Sequence, residues 1–431
     1  MPFSIGKIGY HRILRRAIAL IMSPTKPCIP IPPPLMMSEE GSFAHQTLTQ
    51  RWLTIIQRAI ASNNYPTSIT QSLDNLRQEL PYGIVRSLTC ETQPDLEAWN
   101  TYMSPYQGKR WIDIPWYPAE VYLYRRILEA THYFQPGKWH RVDPFEPQKH
   151  SSLAKVMSAI ETMSGKINTF VDAQGQWNRT DLIALFYFAL WGNRIDLSLF
   201  PTDAGESQRM NIEAYREQAN LLVDHTPQIT DHIAHLKGVR IDLILDNAGF
   251  ELFCDLCVAD FLVNSGIAQP VYLHLKPHPV FVSDAMIKDV QHTINVLSQH
   301  SNQDVQSLGE RLKNYIDNGN IICCDDSYWT APLAFWEMPE RWRDQLNQSQ
   351  LVIIKGDANY RRLLGDREWD YTTPWEDIVC YFPAPFAALR TFKAELAAGL
   401  QPDQIKRLNQ EDPQWLTNGQ WGVIQFFNPR Q

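Results

Sequence analysis

The chain has 431 residues, 44% hydrophobic and 20% charged, with a formal net charge of -8 at pH 7. That length buries a large core and suits two domains, and the composition is that of a globular protein rather than a disordered or fibrous one. The acidic balance speaks against a nucleic-acid partner, which would favour a basic face.

The seven cysteines are an odd count in a long chain, which fits reduced thiols in a cytoplasmic protein better than a disulfide framework. The basic, amphipathic segment from Tyr10 to Met22 is too short and interrupted to span a membrane, and it lacks a secretory cleavage site. It reads as an N-terminal extension, with Met36 or Met37 as an alternative start. No run of 18 apolar residues occurs, so no membrane partner is expected. The prolines from Pro24 to Pro34 exclude a helix and predict an extended arm. Residues 1–40 are therefore set apart from a mainly helical domain over 41–237.

Within that domain, Ser42 is placed to cap a helix running through Trp52, Ile55, Ile56 and Ile60. A second helix begins near Pro118, with Val121, Tyr124, Leu128 and Thr131 on one face. A loop spans about Pro136 to Lys149, and Asp181 to Trp191 reads as a buried helix. From Gly238 the texture changes, and short β-rich runs alternate with helical patterns over 238–431. The runs are Val239–Leu245, Pro270–Leu275, Ile321–Cys324, Leu351–Ile354 and Ile378–Tyr381, and helices follow at Phe250–Asn264, Ala285–Ser298 and Ala388–Gly399. This alternation predicts an α/β, doubly wound, mainly parallel, Rossmann-like sheet with the helical N-terminal region packed on it. Cys254 and Cys257 form a C-x-x-C inside the apolar helical pattern, without a second pair for zinc, and read as core thiols.

Ligands bind open parallel sheets beyond the carboxyl ends of the strands. The residues there are Asp246-Asn247, Lys276-Pro277-His278-Pro279 with Asp284 beyond, Asp325-Asp326, the loop from Lys355 to Arg361, and Arg390 to Lys393. Asp246, Asn247 and Asp284 offer hard oxygen donors suited to Mg²⁺ or Mn²⁺. An Asp-Asn pair also caps helices, and taken alone it fits that role. With the other strand ends considered, the metal set is the reading adopted. Lys355, Arg361, Arg390 and Lys393 are the cationic candidates for a phosphoryl group, and Gly356 permits close backbone approach. Asn359 and Tyr360 serve either a sugar or the turn. Glu251 sits where it complements a helix dipole or orients a ligand, and His278 reads as a turn histidine bonded to backbone. No phosphate-loop or dinucleotide fingerprint is present.

The runs LILDNAGFELFCDL, KPHPVFVSD, KGDANYRRLLGD and RTFK together resemble the DUF89 damage-control phosphatases. RTFK, about forty residues from the C-terminus, resembles the RTxK mark of the subfamily that includes the acidic residue methyltransferase 1 (sugar phosphate phosphatase) proteins. PPPLMMSEEGSFAHQTLTQRW, YLYRRILEATHYF, DPFEPQKHSSL and LWGNRIDLSL extend the likeness from Pro32 to the C-terminus. The resemblance implies a metal-dependent phosphoric monoester hydrolase with Asp246, Asn247 and Asp284 on a divalent cation (Mn²⁺, Co²⁺, Ni²⁺ or Mg²⁺). It implies substrate contacts from Asp357, Ala358, Asn359, Tyr360, Arg361 and Lys393, and a small phosphorylated partner such as fructose 1-phosphate or fructose 6-phosphate. Catalytic roles fall on Asp246, Asn247, Asp284 and Lys393, with Glu251 and Lys355 beside the substrate. Two rivals accompany this reading. One is S-adenosylmethionine-dependent carboxyl methylation, in which Glu251 and Asp284 contact the cofactor. The other is a non-catalytic metabolite-binding protein of the same fold. The loop Asp-Asn-Ala-Gly after the first strand suits a cation better than it suits a methyltransferase cofactor.

Overall fold

The computed structural model describes residues 24–89, 94–171, 175–192 and 219–430. The segment from Tyr10 to Met22 and Cys90 lie outside them. The Ser42 side chain caps a helical turn, Phe43–Gln46, by accepting from the His45 amide. The chain then passes through a π-helical turn, Thr47–Arg51, into α1, Trp52–Ser62. α2 is Thr67–Glu79 and α3 is Trp116–Ala130. α3 differs from the one-faced helix expected from its spacing, because it is buried nearly all round. Its charges are buried with partners: Arg125 donates to Asp95 at 2.7 and 2.8 Å, and Arg126 to Glu79 at 2.9 Å. Paired burial of this kind is what lets charged residues enter a core. Next come α4, Glu146–Lys155, α5, Met157–Ile167, and α6, Arg179–Trp191.

One mixed sheet of seven strands organises the rest, in the order β1-β7-β6-β5-β2-β3-β4. The strands are β1 Leu221–Asp224, β2 Val239–Ile244, β3 Ala268–Leu275, β4 Ile321–Asp325, β5 Leu351–Lys355, β6 Phe386–Thr391 and β7 Gly422–Phe427. Helices α7, Phe250–Asn264, α8, Ile287–Ser298, α9, Gln303–Asp317, and the short α10, Asp357–Leu363, lie between them. All pairings are parallel except β6 with β7. Strands buried on both faces read as continuous apolar runs, and β5 does so up to Lys355, while β2 carries Arg240 and Asp242 paired with each other. Ile241 and Leu243 face the cluster containing α6 and α7, while Ile244 faces the cluster containing Val352, Ile354 and Trp375. A third cluster joins α1, α2 and α3 to Val280 and Ala394, so the helical region shares its core with the sheet's carboxyl-end loops.

Three expectations are corrected. Ile378–Tyr381 is not a strand: Trp375–Val379 is a helical turn, started by Pro374 with Glu376 and Asp377 in the first turn. The strand lies later, at β6, where a helix over Ala388–Gly399 was expected. The alanine-rich FAALRT favours a helix locally, but pairing on both sides, with β5 and β7, overrides that propensity. β1 and β7 were not anticipated at all. Finally, Cys28 and Cys380 form a disulfide across 352 residues of sequence, against the expectation of reduced thiols. The proline arm runs back along the molecule: Cys28 donates its amide to Asp377 O, Glu368 to Pro33 O and Leu35 to Asp366 O. Spacing along the chain carries no sign of that return. Cys254 and Cys257 are free and buried in the core, as expected.

Candidate active site

The sheet reverses direction between β2 and β5. From β2 the chain builds outward through β3 to β4, then returns to place β5 on the other side of β2. Such a switch point opens a crevice at the carboxyl ends of the two strands. Asp246 and Asn247 follow β2, and Gly356 and Asp357 follow β5. A second piece of backbone completes the corner. Asn247 and Asp284 form an isolated antiparallel bridge, Ala285 donates its amide to Asp246 O at 2.7 Å, and Ala248 donates to Ser283 O at 2.7 Å. The three oxygen-bearing residues therefore meet in one crevice although the 36 residues between Asn247 and Asp284 loop away and back.

Asp246 and Asp284 are buried, and Asp246 Oδ1 and both Asp284 carboxylate oxygens accept no hydrogen bond. Lys276 Nζ lies 3.4 Å from Asp284 Oδ2, close enough to pair by charge but without hydrogen-bond geometry. Buried carboxylate oxygens without donors are costly. Burial, then the charges of Asp284 and Glu251, push the Asp246 carboxyl well above its ordinary range, with Lys276 and Lys393 opposing. Burial likewise raises Asp284 to about 6, against the pull of Lys276 and Lys149. Asn247 is held between neighbours: Nδ2 donates to Asp246 Oδ2 at 2.9 Å and to Glu251 Oε2 at 2.8 Å, and Oδ1 accepts from Ser283. Among the described residues no three His, Cys, Asp or Glu side chains converge, so the donor set is two carboxylates and one amide. Two carboxylates with three donorless oxygens between them, beside an amide and repelling each other, fit a hard divalent cation. Gly356 makes this packing feasible. Its φ is +82°, and a Cβ there would fall 1.9 Å from Asp246 Oδ2.

The crevice is a cavity of about 180 Å³ lined also by Lys393, Asp357, Ala358 and Arg361. Lys393 contributes its amide to Asp357 Oδ1 at 3.3 Å, while its ammonium has no partner among the described residues. The other three cationic candidates, Lys355, Arg361 and Arg390, are spent on protein. Lys355 donates to Glu251 Oε1 at 3.2 Å and to Ala189 O, and lies 3.2 Å from Asp255. Burial opposes its charge, but Asp255 and Glu251 outweigh burial and hold it protonated. Arg361 is gripped by Asp366 at 2.7 Å and Glu120 at 2.6 Å, with its plane over the Trp116 ring. Arg390 donates to Asp357 Oδ1 at 2.7 Å, to Ala394 O at 3.0 Å and to Leu396 O. The arginine of RTFK thus clamps the loop that presents the lysine.

Not every sequence candidate reaches the crevice. Tyr360 is buried, with its hydroxyl donating to Gln425 at 2.8 Å and its ring stacked on Trp375. Asn359 is buried and donates to Leu245 O and Lys355 O, tying β5 to the end of β2. Both side chains serve the turn. Glu251 reaches Asn247 and Lys355, linking the donor set to a cation. His278 is a buried turn residue, bonded to Pro279 O and Thr330, and burial lowers it to about 4. Asp326 caps a turn by accepting from the Tyr328 amide and pairs with Arg341.

Sequence reasoning missed several lining residues. Arg51, Trp116 and Glu120 come from the helical region, and Phe281 and Ser283 from the loop before Asp284. Phe281 and Val282 both have positive φ, +48° and +66°, a conformation bulky L residues rarely adopt and one that clusters at functional sites. Lys149 is buried and donates to Asp284 O at 2.8 Å as well as to Asp143 and Asp289. Its only sign in the sequence is the DPFEPQKHSSL run.

The domain description "Damage-control phosphatase ARMT1-like domain" matches residues 47–408. The chain is 31% identical to the damage-control phosphatase ARMT1 of Danio rerio over 442 residues, 93% of this chain and 98% of that protein. Against the Mus musculus protein it is 31% identical, covering 92% of this chain and 98% of that one. The Homo sapiens protein is 30% identical, with 93% and 99% covered. The switch-point crevice, its acidic pair and the clamped RTFK lysine lie within the matched span, and the chain belongs to the ARMT1-like damage-control phosphatase family.

Proposed function

We propose that this chain is a metal-dependent phosphoric monoester hydrolase acting on small phosphorylated metabolites, with sugar phosphates such as fructose 1-phosphate and fructose 6-phosphate as the substrate class. The observation that carries the reading is the trio of donorless oxygens on Asp246 and Asp284, buried beside Asn247 in a crevice that Lys393, without a hydrogen-bond or ion-pair partner among the described residues, also lines. Asp246, Asn247 and Asp284 would hold Mn²⁺, Co²⁺, Ni²⁺ or Mg²⁺. Such a cation supplies Lewis-acid stabilisation of phosphoryl oxygens and lowers the cost of ionising water.

The chain's own groups do the rest. Lys393 offers its ammonium to the non-bridging oxygens, where negative charge must be stabilised as the phosphoryl group transfers. Arg390 and Asp357 fix the backbone that carries Lys393, which keeps that donor aimed rather than searching. Glu251, neutralised by Lys355, orients the Asn247 amide. Lys276 and Lys149 limit the negative charge around Asp284. Trp116 and Phe281 give the crevice an apolar wall, which lowers the local dielectric and strengthens charge interactions along it.

The test is phosphate release from a sugar-phosphate panel with the divalent cation varied. Turnover by wild type, with loss of at least about 10³-fold in Asp246→Ala, is expected. Equal turnover in the variant refutes the assignment. Tight, metal-independent binding of S-adenosylmethionine in a calorimeter would favour the methyltransferase rival.

A further inference from the structure

A second cavity of about 550 Å³ adjoins the crevice and shares Arg51, Phe281 and Ser283 with it. Its remaining polar lining is Gln46, Thr47, Gln50, Thr54, Arg58 and Gln148. The π-helical turn explains how so many polar groups face one way. The Trp52 amide reaches back five residues to Thr47 O, and the added residue turns Gln46 and Gln50 toward the face that already holds Arg51, Thr54 and Arg58 at steps of three and four. π turns occur often at functional sites.

The charge pattern is one-sided. No carboxylate lines this cavity, and neither guanidinium has an ion-pair or hydrogen-bond partner among the described residues. The inner crevice is mixed instead, with Asp246, Asp284, Asp357 and Glu120 in its wall beside Arg51, Arg361 and Lys393. Two unpaired arginines on one wall, among amides and hydroxyls, suit an anion carried on a hydroxylated skeleton.

We propose that the outer cavity is a second anion subsite, so that the preferred substrates carry two anionic groups: sugar bisphosphates or phosphorylated sugar acids rather than esters of neutral sugars. This rests on the phosphatase reading for the inner crevice, where the scissile phosphate sits. Arg51 stands at the junction, and Arg58, which touches only the outer cavity, selects for the distal phosphate or carboxylate.

The experiment compares kcat/KM for fructose 1-phosphate, fructose 1,6-bisphosphate and 6-phosphogluconate in wild type, Arg58→Ala and Arg58→Lys, with Mn²⁺ present. Wild type is expected to prefer a two-anion substrate by about tenfold or more, and Arg58→Ala to erase most of that ratio through KM. Arg58→Lys retains part of it. Preference for the bisphosphate alone identifies a phosphate subsite, and preference for the sugar acid alone a carboxylate subsite. Absence of preference in wild type, or an unchanged ratio in Arg58→Ala, overturns the proposal. Calorimetric titration of the bisphosphate into both proteins separates the two readings. Binding weakened about tenfold in Arg58→Ala without any hydrolysis by wild type would sink the phosphatase reading and leave the subsite standing. Hydrolysis with an Arg58-independent ratio would do the reverse.

Discussion

Replacing Gly356 by alanine tests how tightly the crevice is built. At this position φ is +82° and ψ is 173°, a region open essentially to glycine alone. Adopting it costs an alanine about 1–3 kcal/mol of stability. The added methyl would also lie 1.9 Å from Asp246 Oδ2 and 2.2 Å from its Cγ. Ordinary contacts begin near 3.4 Å, so the carboxylate must retreat by roughly 1.5 Å or the loop must shift as far. Displacements of about 1 Å in a catalytic arrangement cost on the order of 10²-fold in rate. The expected outcome is a loss of 1–3 kcal/mol in denaturant unfolding, together with a fall of about 10²-fold or more in kcat/KM for sugar-phosphate hydrolysis. Gly238→Ala is the control. Its φ is also positive, +59°, but nothing lies within 4 Å of the added methyl. It should lose about 1 kcal/mol and keep its activity. A Gly356→Ala protein with kcat/KM within about threefold of wild type would show that Asp246 need not stay where it is, and the reasoning would fail.

Other outcomes follow from the same geometry. Asp246→Asn removes one of two mutually repelling buried acids, so without added metal it should unfold at a higher temperature than wild type. Saturating Mn²⁺ at about 100 times its Kd should stabilise wild type by about 2.7 kcal/mol and leave this variant unmoved, which differential scanning calorimetry reads directly. Lys393→Ala should cut kcat/KM by about 10²–10³-fold with little change in unfolding midpoint, because among the described residues its ammonium makes no hydrogen bond or ion pair to lose. Arg390→Ala takes a donor from the half-buried Asp357 carboxylate and strands the carbonyls of Ala394 and Leu396, and should destabilise by about 3 kcal/mol in denaturant titration. For pH, burial holds His278 at about 4 in the folded state against an ordinary value of 6.5. Its contribution is full above pH 6.5 and is lost as pH falls toward 4, a swing of about 3 kcal/mol. Unfolding curves at stepped pH should therefore be flatter over that window for His278→Gln.

Much of the site was legible in the chain because strand ends are local. An apolar run followed by polar residues marks its own carboxyl terminus, and Asp246, Asn247 and Asp357 were found that way. Strand β6 shows the limit: its sequence favours a helix, and Lys393 was picked from the wrong run, Ile378–Tyr381, and from the likeness of RTFK to the RTxK mark. What local pattern cannot express is which end of a side chain is already occupied. Lys355, Arg361 and Arg390 are as cationic as Lys393, but only the fold puts Glu251, Asp255, Glu120, Asp366 and Asp357 against them. The helical region's share, Arg51, Trp116 and Glu120, was invisible for the same reason, since contacts between distant segments leave no period in either one.

By itself, then, the sequence determined strands β2 to β5 with the helices α7 and α8, the edge of the sheet where their polar ends gather, and the acidic pair with its amide there, all properties written in nearest-neighbour pattern. Tertiary structure alone decided the strand order that opens the crevice between β2 and β5, the return of the proline arm to Cys380, and the division of the cations into clamps and those, Lys393 and Arg51, left without partners among the described residues. Those outcomes depend on which remote groups share a desolvated space, because a buried charge takes whatever partner the packing supplies.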